Sequence, residues 1–268
     1  MNSKGTGSTF KAISKQTLSE TEIPLPPMEE QKKIAAVLDK VSDLIAKRRR
    51  QLDKLDLLVK ARFVERFGEP GTKKSGLQYV PLDNICLVNP KKNQESKLKD
   101  GLQVSFVPMS FVTETGDIDA SCVKDYNEVK TGFTYFAEND VLFAKITPCM
   151  ENGKGAIAKN LKNGIGFGST EFHVLRPIDK KSDPYWLYIL TSFKQFRDDA
   201  ASNMTGSAGQ RRVPASFLEK YLVSVPPFEL QKQFSIFVQY TEQTKTSISH
   251  SLETLETLKK SLMQEYFG

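Results

Sequence analysis

Cysteine, histidine and long apolar runs are all scarce in this sequence, and each shortage excludes a class of protein. Cys86, Cys122 and Cys149 lie 36 and 27 residues apart. An odd count without a C-x-x-C pair excludes a disulfide framework and fits the reduced thiols of a cytoplasmic protein. His173 and His250 are the only histidines, too few and too dispersed for a structural zinc site. No apolar stretch approaches the roughly 18 residues that cross a bilayer, and the polar start, Met1 to Lys11, has no apolar leader segment. No membrane partner is expected.

Catalytic signatures are missing too. HExxH, GxxxxGK[ST] and GxSxG do not occur, so common metalloprotease, P-loop and hydrolase chemistries lack their parts. The glycines of Gly164, Gly166 and Gly168 run into the strand-like Ser169-Thr170-Glu171-Phe172-His173-Val174 rather than the helix that a dinucleotide cradle needs. The Pro-Pro pairs follow Leu25 and Val225, so no Asn/Asp-Pro-Pro-aromatic tetrad is present to hold a flipped adenine, which disfavours a methyltransferase acting alone. What is present is the composition of a folded chain: 268 residues, 26% charged, 39% in the set AVILMFWYC, net charge +6. That is enough for one large or two modest domains and permits a polyanionic partner.

A repeat organises the chain. Shifting it by 200 residues superposes Pro26-Pro27-Met28-Glu29-Glu30-Gln31-Lys32 on Pro226-Pro227-Phe228-Glu229-Leu230-Gln231-Lys232. At the same shift Leu52, Leu55 and Leu58 fall on Leu252, Leu255 and Leu258, and Glu65, Phe67 and Gly68 on Glu265, Phe267 and Gly268. Proline is tolerated in the first turn of a helix and not inside it, so each pair marks a helix start, and neither proline nor glycine recurs before Gly68 or Gly268. Ile34, Leu38, Val41, Ile45, Leu52, Leu55, Val59 and Phe63 recur in steps of three and four with Arg48 in the stripe, close to a coiled-coil period. Phe234, Val238, Ile248, Leu252, Leu255 and Leu262 follow the same spacing, with Thr241 and Lys245 weakening the middle. Helices of about 38 residues, about 57 Å long, are too long for the inside of a small globule and should project as a rod. Residues 29–68 carry 11 Lys/Arg against 7 Asp/Glu and residues 229–268 carry 4 against 5, which suits pairing of the two. The run Lys47-Arg48-Arg49-Arg50 reads either as a solvated face or as a phosphate contact.

Between the repeats, short apolar runs alternate with Gly, Asn, Asp and Pro clusters. Strands are expected over Leu102 to Pro108, Val141 to Ile146, Gly155 to Ala158 and Glu171 to Leu175, and one helix from Pro184 to Phe196. The fold class is α+β: a mixed α/β globule plus two long antiparallel coiled-coil helices. This segment holds 20 basic and 18 acidic residues, so its charge does not announce DNA binding. Its basic groups nevertheless sit in polar, glycine-bearing loops: Lys91 and Lys92 after Asn89-Pro90, Lys145 and Lys154 around Asn152-Gly153, Ser169 and Thr170 after Gly168, and Gln210, Arg211 and Arg212 after Gly206 and Gly209. Arg and Lys grip phosphates, and Asn and Gln bond adenine edges bidentately, so we expect backbone grip from Lys91, Lys92, Lys145, Lys154, Arg211 and Arg212. Base readout is expected from Asn152, Ser169, Thr170 and Gln210. Convergence of these loops on one groove is the deciding observation. Asp117, Asp119, Glu128 and Lys130 imitate the carboxylates and lysine of a magnesium-dependent nuclease, but such E-x-K triplets are common among surface charges. Cys149 with His173 has nothing around it to suggest a nucleophile and base.

The stretch Asp140-Val141-Leu142-Phe143-Ala144-Lys145-Ile146-Thr147-Pro148-Cys149-Met150-Glu151-Asn152-Gly153-Lys154-Gly155-Ala156-Ile157 closely resembles the core of the target-recognition domain in specificity subunits of type I restriction-modification systems. So does Gly166-Phe167-Gly168-Ser169-Thr170-Glu171-Phe172-His173-Val174-Leu175-Arg176-Pro177, and the Pro-Pro-x-Glu-x-Gln-Lys openings resemble that family's spacer helices. The resemblance implies a cytoplasmic, non-catalytic subunit that binds double-stranded DNA. Modification subunits would dock on the helices and use S-adenosylmethionine; a motor subunit would use ATP and Mg; this chain itself would bind no cofactor. Residues 1–28 would be the end of a preceding recognition domain, 29–68 and 228–268 the spacer helices, and 69–227 the one complete recognition domain. Thr6-Gly7-Ser8 resembles Thr205-Gly206-Ser207, one residue out of step. With one complete domain where the family carries two, the chain reads as a half-size subunit that forms a homodimer through the helices, or as a truncated or rearranged gene product. The rival readings are a coiled-coil adaptor whose globule binds protein, and the nuclease above.

Overall fold

A computed structural model describes residues 14–20, 22, 25–92, 98–207 and 209–268. The likeness of Thr6-Gly7-Ser8 to Thr205-Gly206-Ser207 lies outside the described residues. In chain order the elements are α1 (Lys15–Ser19), α2 (Met28–Phe67), β1 (Gln78–Pro81), β2 (Cys86–Val88), β3 (Gln103–Val107), β4 (Val123–Asp125), α3 (Tyr126–Val129), β5 (Thr134–Ala137), β6 (Val141–Ala144), β7 (Gly155–Ile157), β8 (Ile165–Gly168), β9 (Phe172–Pro177), α4 (Pro184–Ser192), α5 (Lys194–Ser202), α6 (Ala215–Lys220), β10 (Leu222–Val225) and α7 (Phe228–Phe267).

The repeat is reproduced bond for bond. The carbonyl of Pro27 accepts from the Glu30 and Gln31 amides at 2.9 and 3.0 Å, and that of Pro227 from Leu230 and Gln231 at 2.9 and 3.3 Å. Proline has no N–H to lose at this position, so each 40-residue helix begins immediately after its pair. The Gln31 amide donates back to Pro26 O at 2.8 Å and the Gln231 amide to Pro226 O at 2.9 Å. Lys32–Glu29 and Lys232–Glu229 pair at 2.9 and 3.2 Å.

The chain forms two compact units, residues 1–55 with 244–268, and residues 56–243. In the first, Ile34, Val41 and Ile45 are buried, Arg49 Nη2 meets Glu256 Oε1 at 2.7 Å, and a groove lined by Ile45, Met263 and Phe267 continues the contact. Low numbers on one helix thus face high numbers on the other, as antiparallel pairing requires.

The second unit holds the sheets. β1 and β10 form an antiparallel pair; β2-β9-β6-β7 and β4-β3-β8-β5 form two four-stranded sheets, antiparallel except where β3 runs parallel to β8. β6 is buried along its whole length, as befits a central strand covered on both faces. Gly166 and Gly168 belong to β8, where a Cβ would lie 2.1 Å from the Phe136 ring and 2.2 Å from Val107 O; these glycines serve strand packing. The ends of both long helices enter this unit's core: Phe63 and Phe67 lie 5.6 and 5.4 Å from Phe234, and Phe63 stacks on Trp186 at 6.0 Å. Thr241, apolar-stripe breaker in sequence, is buried with its hydroxyl donating to Phe237 O at 2.9 Å.

All four expected strands are present: β3, β6 and β7 are one or two residues shorter at their ends, while β9 starts one residue later and runs two residues further than expected. The single helix expected from Pro184 to Phe196 is instead two, broken at Phe193 with φ −67° and ψ 140°. Thr191 and Ser192 hydroxyls donate to the carbonyls of Tyr188 and Ile189 at 2.9 and 2.7 Å, competing with the helical ladder. The break delivers the Phe193 ring to Phe63 at 5.1 Å, so aromatic burial outweighs local periodicity. Five short strands, β2, β4, β5 and the pair β1 and β10, were not expected, nor was β8 as a ladder partner of β3.

Candidate nucleic-acid interface

Three loops emerge from β6, β8 and α5 and are laced together by their main chains. Lys145 N donates to Glu171 O at 2.9 Å, Thr147 N to Arg211 O at 3.0 Å, and Val213 N to Lys145 O at 2.9 Å, while Arg212 and Thr205 close their own loop at 2.8 Å. Beneath them His173, at the second position of β9 and buried, places Nε2 2.8 Å from Val213 O. A carbonyl only accepts, so Nε2 carries the proton and Nδ1 accepts from the Asn89 amide at 3.0 Å. Asn89 Oδ1 in turn accepts from Val174 N at 3.0 Å. Burial pushes His173 below the ordinary histidine value, opposed by its bond to Val213. A neutral imidazole thereby joins a fourth loop, that of Asn89, to the other three.

The candidate residues differ in how free they are. Lys91 is exposed and Lys145 half-buried, neither with a protein acceptor for its ammonium among the described residues. Arg211 lies 3.9 Å from Glu151, a loose ion pair. Arg212 makes a bidentate fork with Glu171, Nε to Oε2 at 2.9 Å and Nη2 to Oε1 at 2.8 Å, and this bond holds the Glu171 carboxyl below the ordinary range. Lys154 reaches Met109 O at 3.4 Å, and Lys92 donates to Lys130 O, turning away from the laced loops. Asn152, Thr170 and Gln210 are exposed, and Ser169 Oγ accepts from Glu171 N at 3.2 Å. The structure therefore brings Lys145, Asn152, Lys154, Ser169, Thr170, Gln210, Arg211 and Arg212 onto adjoining loops, with Lys91 two residues from the Asn89 brace. Glu171 and Asn89 went unrecognised as parts of the site, because partners 41 and 84 residues apart leave no local signal.

The nuclease residues are engaged elsewhere. Glu128 and Asp125 form a capping box at α3, Lys130 bonds Asn127 at 2.8 Å, Asp119 accepts from Ser121 N at 2.9 Å, and Asp117 binds the Thr113 and Thr115 hydroxyls. Both nitrogens of His173 are taken by the brace, which leaves none for Cys149. Burial raises the Cys86 thiol to about 12, as for an inert core cysteine.

Comparison with known proteins gives these loops a context. A family model described as "Type I restriction modification DNA specificity domain" matches residues 1–56 and 74–257. The type I restriction enzyme EcoEI specificity subunit of Escherichia coli is 35% identical over 230 residues, 81% of this chain and 38% of that one. The EcoAI specificity subunit of the same organism is 37% identical over 211 residues, 72% of this chain and 34% of its own length. The chain thus spans little more than a third of these relatives. The fold matches the crystal structure of the HsdS subunit from Thermoanaerobacter tengcongensis with a TM-score of 0.53 at 20% identity, covering 99% of this chain and 65% of that one.

Proposed function

The chain belongs to the type I restriction modification DNA specificity domain family, and from that premise we propose that it is a non-catalytic specificity subunit whose four braced loops read double-stranded DNA. The observation that carries this is the lacing of the 145–154, 169–171 and 205–213 segments, with exposed amide side chains at Asn152 and Gln210 beside cations at Lys145 and Arg211. Cations of this kind position a duplex by its phosphates, and the amides discriminate among base edges. The test is selection of duplexes from a randomised pool by the purified chain: one enriched sequence is expected, and Gln210→Ala should relax it at one position. Binding of the variant that matches wild type on cognate and altered sequences alike removes Gln210 from the readout.

The finer reading is a two-headed assembly on a split target, with modification subunits docked on the long helices and supplying adenine methylation, and the motor subunit joining through them. A repeat-based observation supports a second head. Gln231 is fully buried because, besides Pro226 O, it accepts from Asp183 N at 2.9 Å and donates to Lys181 O at 3.0 Å. Gln31 holds the same bond to its proline but lacks those further partners among the described residues. In this reading a second copy of the chain supplies the second recognition domain, and helix length sets the half-site separation at about 3.4 Å per base pair. Light scattering in the presence of modification subunits tests it: a species with one copy of this chain rejects the dimer.

A further inference from the structure

Arg197 in α5 is 5% exposed, yet among the described residues no carboxylate meets it. Buried charges are ordinarily paired, because desolvation costs several kcal/mol per ion. Here main-chain oxygens take the carboxylate's place. Nε donates to Thr191 O at 2.8 Å, and Nη1 donates to both Met150 O at 2.9 Å and Lys154 O at 3.2 Å. The guanidinium lies over the Phe143 ring, 4.4 Å from its centroid, and Nη2 has no acceptor among the described residues. Gly155 leaves room for it: a Cβ there would stand 3.2 Å from Nη2. Burial lowers its pKa to about 10, so it stays charged at neutral pH.

The two carbonyls bound by Nη1 are the ends of one tight turn. Within it Asn152 N donates to Pro148 O at 2.9 Å, Gly153 N to Met150 O at 3.1 Å and Lys154 N to Cys149 O at 3.0 Å, with Gly153 at φ +92°. At its crest the Asn152 side chain is exposed. Resting on the DNA-binding reading above, we propose that Arg197 is a positioning residue for base recognition: its guanidinium clamps both ends of the Met150–Lys154 turn from below and so fixes the direction in which Asn152 presents its amide. A bidentate amide-to-adenine contact demands that direction, whereas phosphate contacts tolerate its loss.

The test uses the full chain and a pool of duplexes with randomised positions, read by sequencing before and after selection. Arg197→Lys keeps the charge but replaces two rigidly linked donors, Nε on Thr191 O and Nη1 on the turn carbonyls, with one ammonium that no planar group orients. It should lower enrichment about 5- to 150-fold at one base position, the range for a lost bidentate contact, with affinity for the unselected pool and its salt dependence unchanged. Asn152→Ala should lose the same position, and the double variant should lose no more than Asn152→Ala alone, as expected of groups acting in series. A wild-type profile in folded Arg197→Lys, an even loss at every position, or loss at a different position from Asn152→Ala overturns the proposal. If Arg197→Lys does not fold, Phe143→Leu, which removes the ring beneath the guanidinium, carries the same three outcomes. A wild-type chain that enriches no sequence overturns the DNA reading itself and this proposal with it, and is distinguished by appearing before any substitution.

Discussion

Removing Lys91, Lys145 and Arg211 together should flatten the salt dependence of non-specific DNA binding more than any other three cations on the laced loops. The reasoning is geometric. Lys92, Lys154 and Arg212 already have acceptors within the protein, at Lys130 O, Met109 O and Glu171, while among the described residues Lys91 and Lys145 have none and Arg211 only a partner at 3.9 Å. Each free cation that neutralises a phosphate contributes about 0.9 to the slope of log affinity against log salt. Across a fourfold rise, from about 50 to about 200 mM, one contact is therefore worth about 3.5-fold and three about forty-fold. Fluorescence anisotropy on a random-sequence duplex over that range measures it. The triple alanine variant should lose about 2.7 from the slope, and the matched Lys92, Lys154 and Arg212 triple distinctly less. An unchanged slope in the first, or a larger drop in the second, refutes the ranking of free against engaged side chains.

Glu171→Gln should act in the opposite sense, releasing the Arg212 fork and steepening the same slope by up to about 0.9; an unaltered slope means Arg212 does not face the duplex. Asp140 is 1% exposed and receives Arg176 Nε and Nη2, both at 2.8 Å, together with Ala137 N at 2.7 Å. Asp140→Asn removes the carboxylate from a largely buried guanidinium that keeps its contact with the Tyr135 ring, and should cost about 3 kcal/mol, read as a lower urea midpoint at constant m-value; a change below about 1 kcal/mol counts against the pair as a structural element. Gly166→Ala forces a methyl to 2.1 Å from the fully buried Phe136 ring and should lower stability by about 1 to 3 kcal/mol, visible as a reduced melting temperature. For pH, His173 is held below the ordinary value of 6.5, so the unfolded chain takes up its proton first on acidification. Stability is complete above about 6.5 and falls as pH drops toward the folded value, with Glu171 adding a further loss below its ordinary 4.5. Urea midpoints of wild type and His173→Gln between about pH 7.5 and 5 should converge as pH falls; parallel curves refute the assignment.

The long helices were legible because their signals are local: a proline pair fixes each start, no proline or glycine follows until residue 68 or 268, and the apolar stripe recurs over many turns despite Arg48, Thr241 and Lys245. The strands flanked by turn residues were legible for the same reason. Phe193 was misread because its extended backbone is dictated by a ring 130 positions earlier in the chain, Phe63, which periodicity cannot sense. The same limit applied to the interface. Lysine, arginine and amide side chains in glycine-bearing loops marked where contacts could be made, but Glu171 beneath Arg212 and His173 beneath Val213 are pairings across the fold, and they decide which cations are available.

The three loops after β6, β8 and α5 are laced to one another through peptide groups. The amides of Lys145, Thr147 and Val213 donate to the carbonyls of Glu171, Arg211 and Lys145, and His173 and Arg197 brace from below on the carbonyls of Val213, Met150 and Lys154, so these bonds do not depend on the side chains of the residues they hold. The outward side chains at Asn152, Thr170 and Gln210 can therefore be exchanged without unpicking the weave. If these loops read DNA as proposed, their vocabulary can change while their grammar is kept: substitutions at the exposed positions break none of the main-chain bonds and, as surface changes, should cost the fold within about 0.5 kcal/mol.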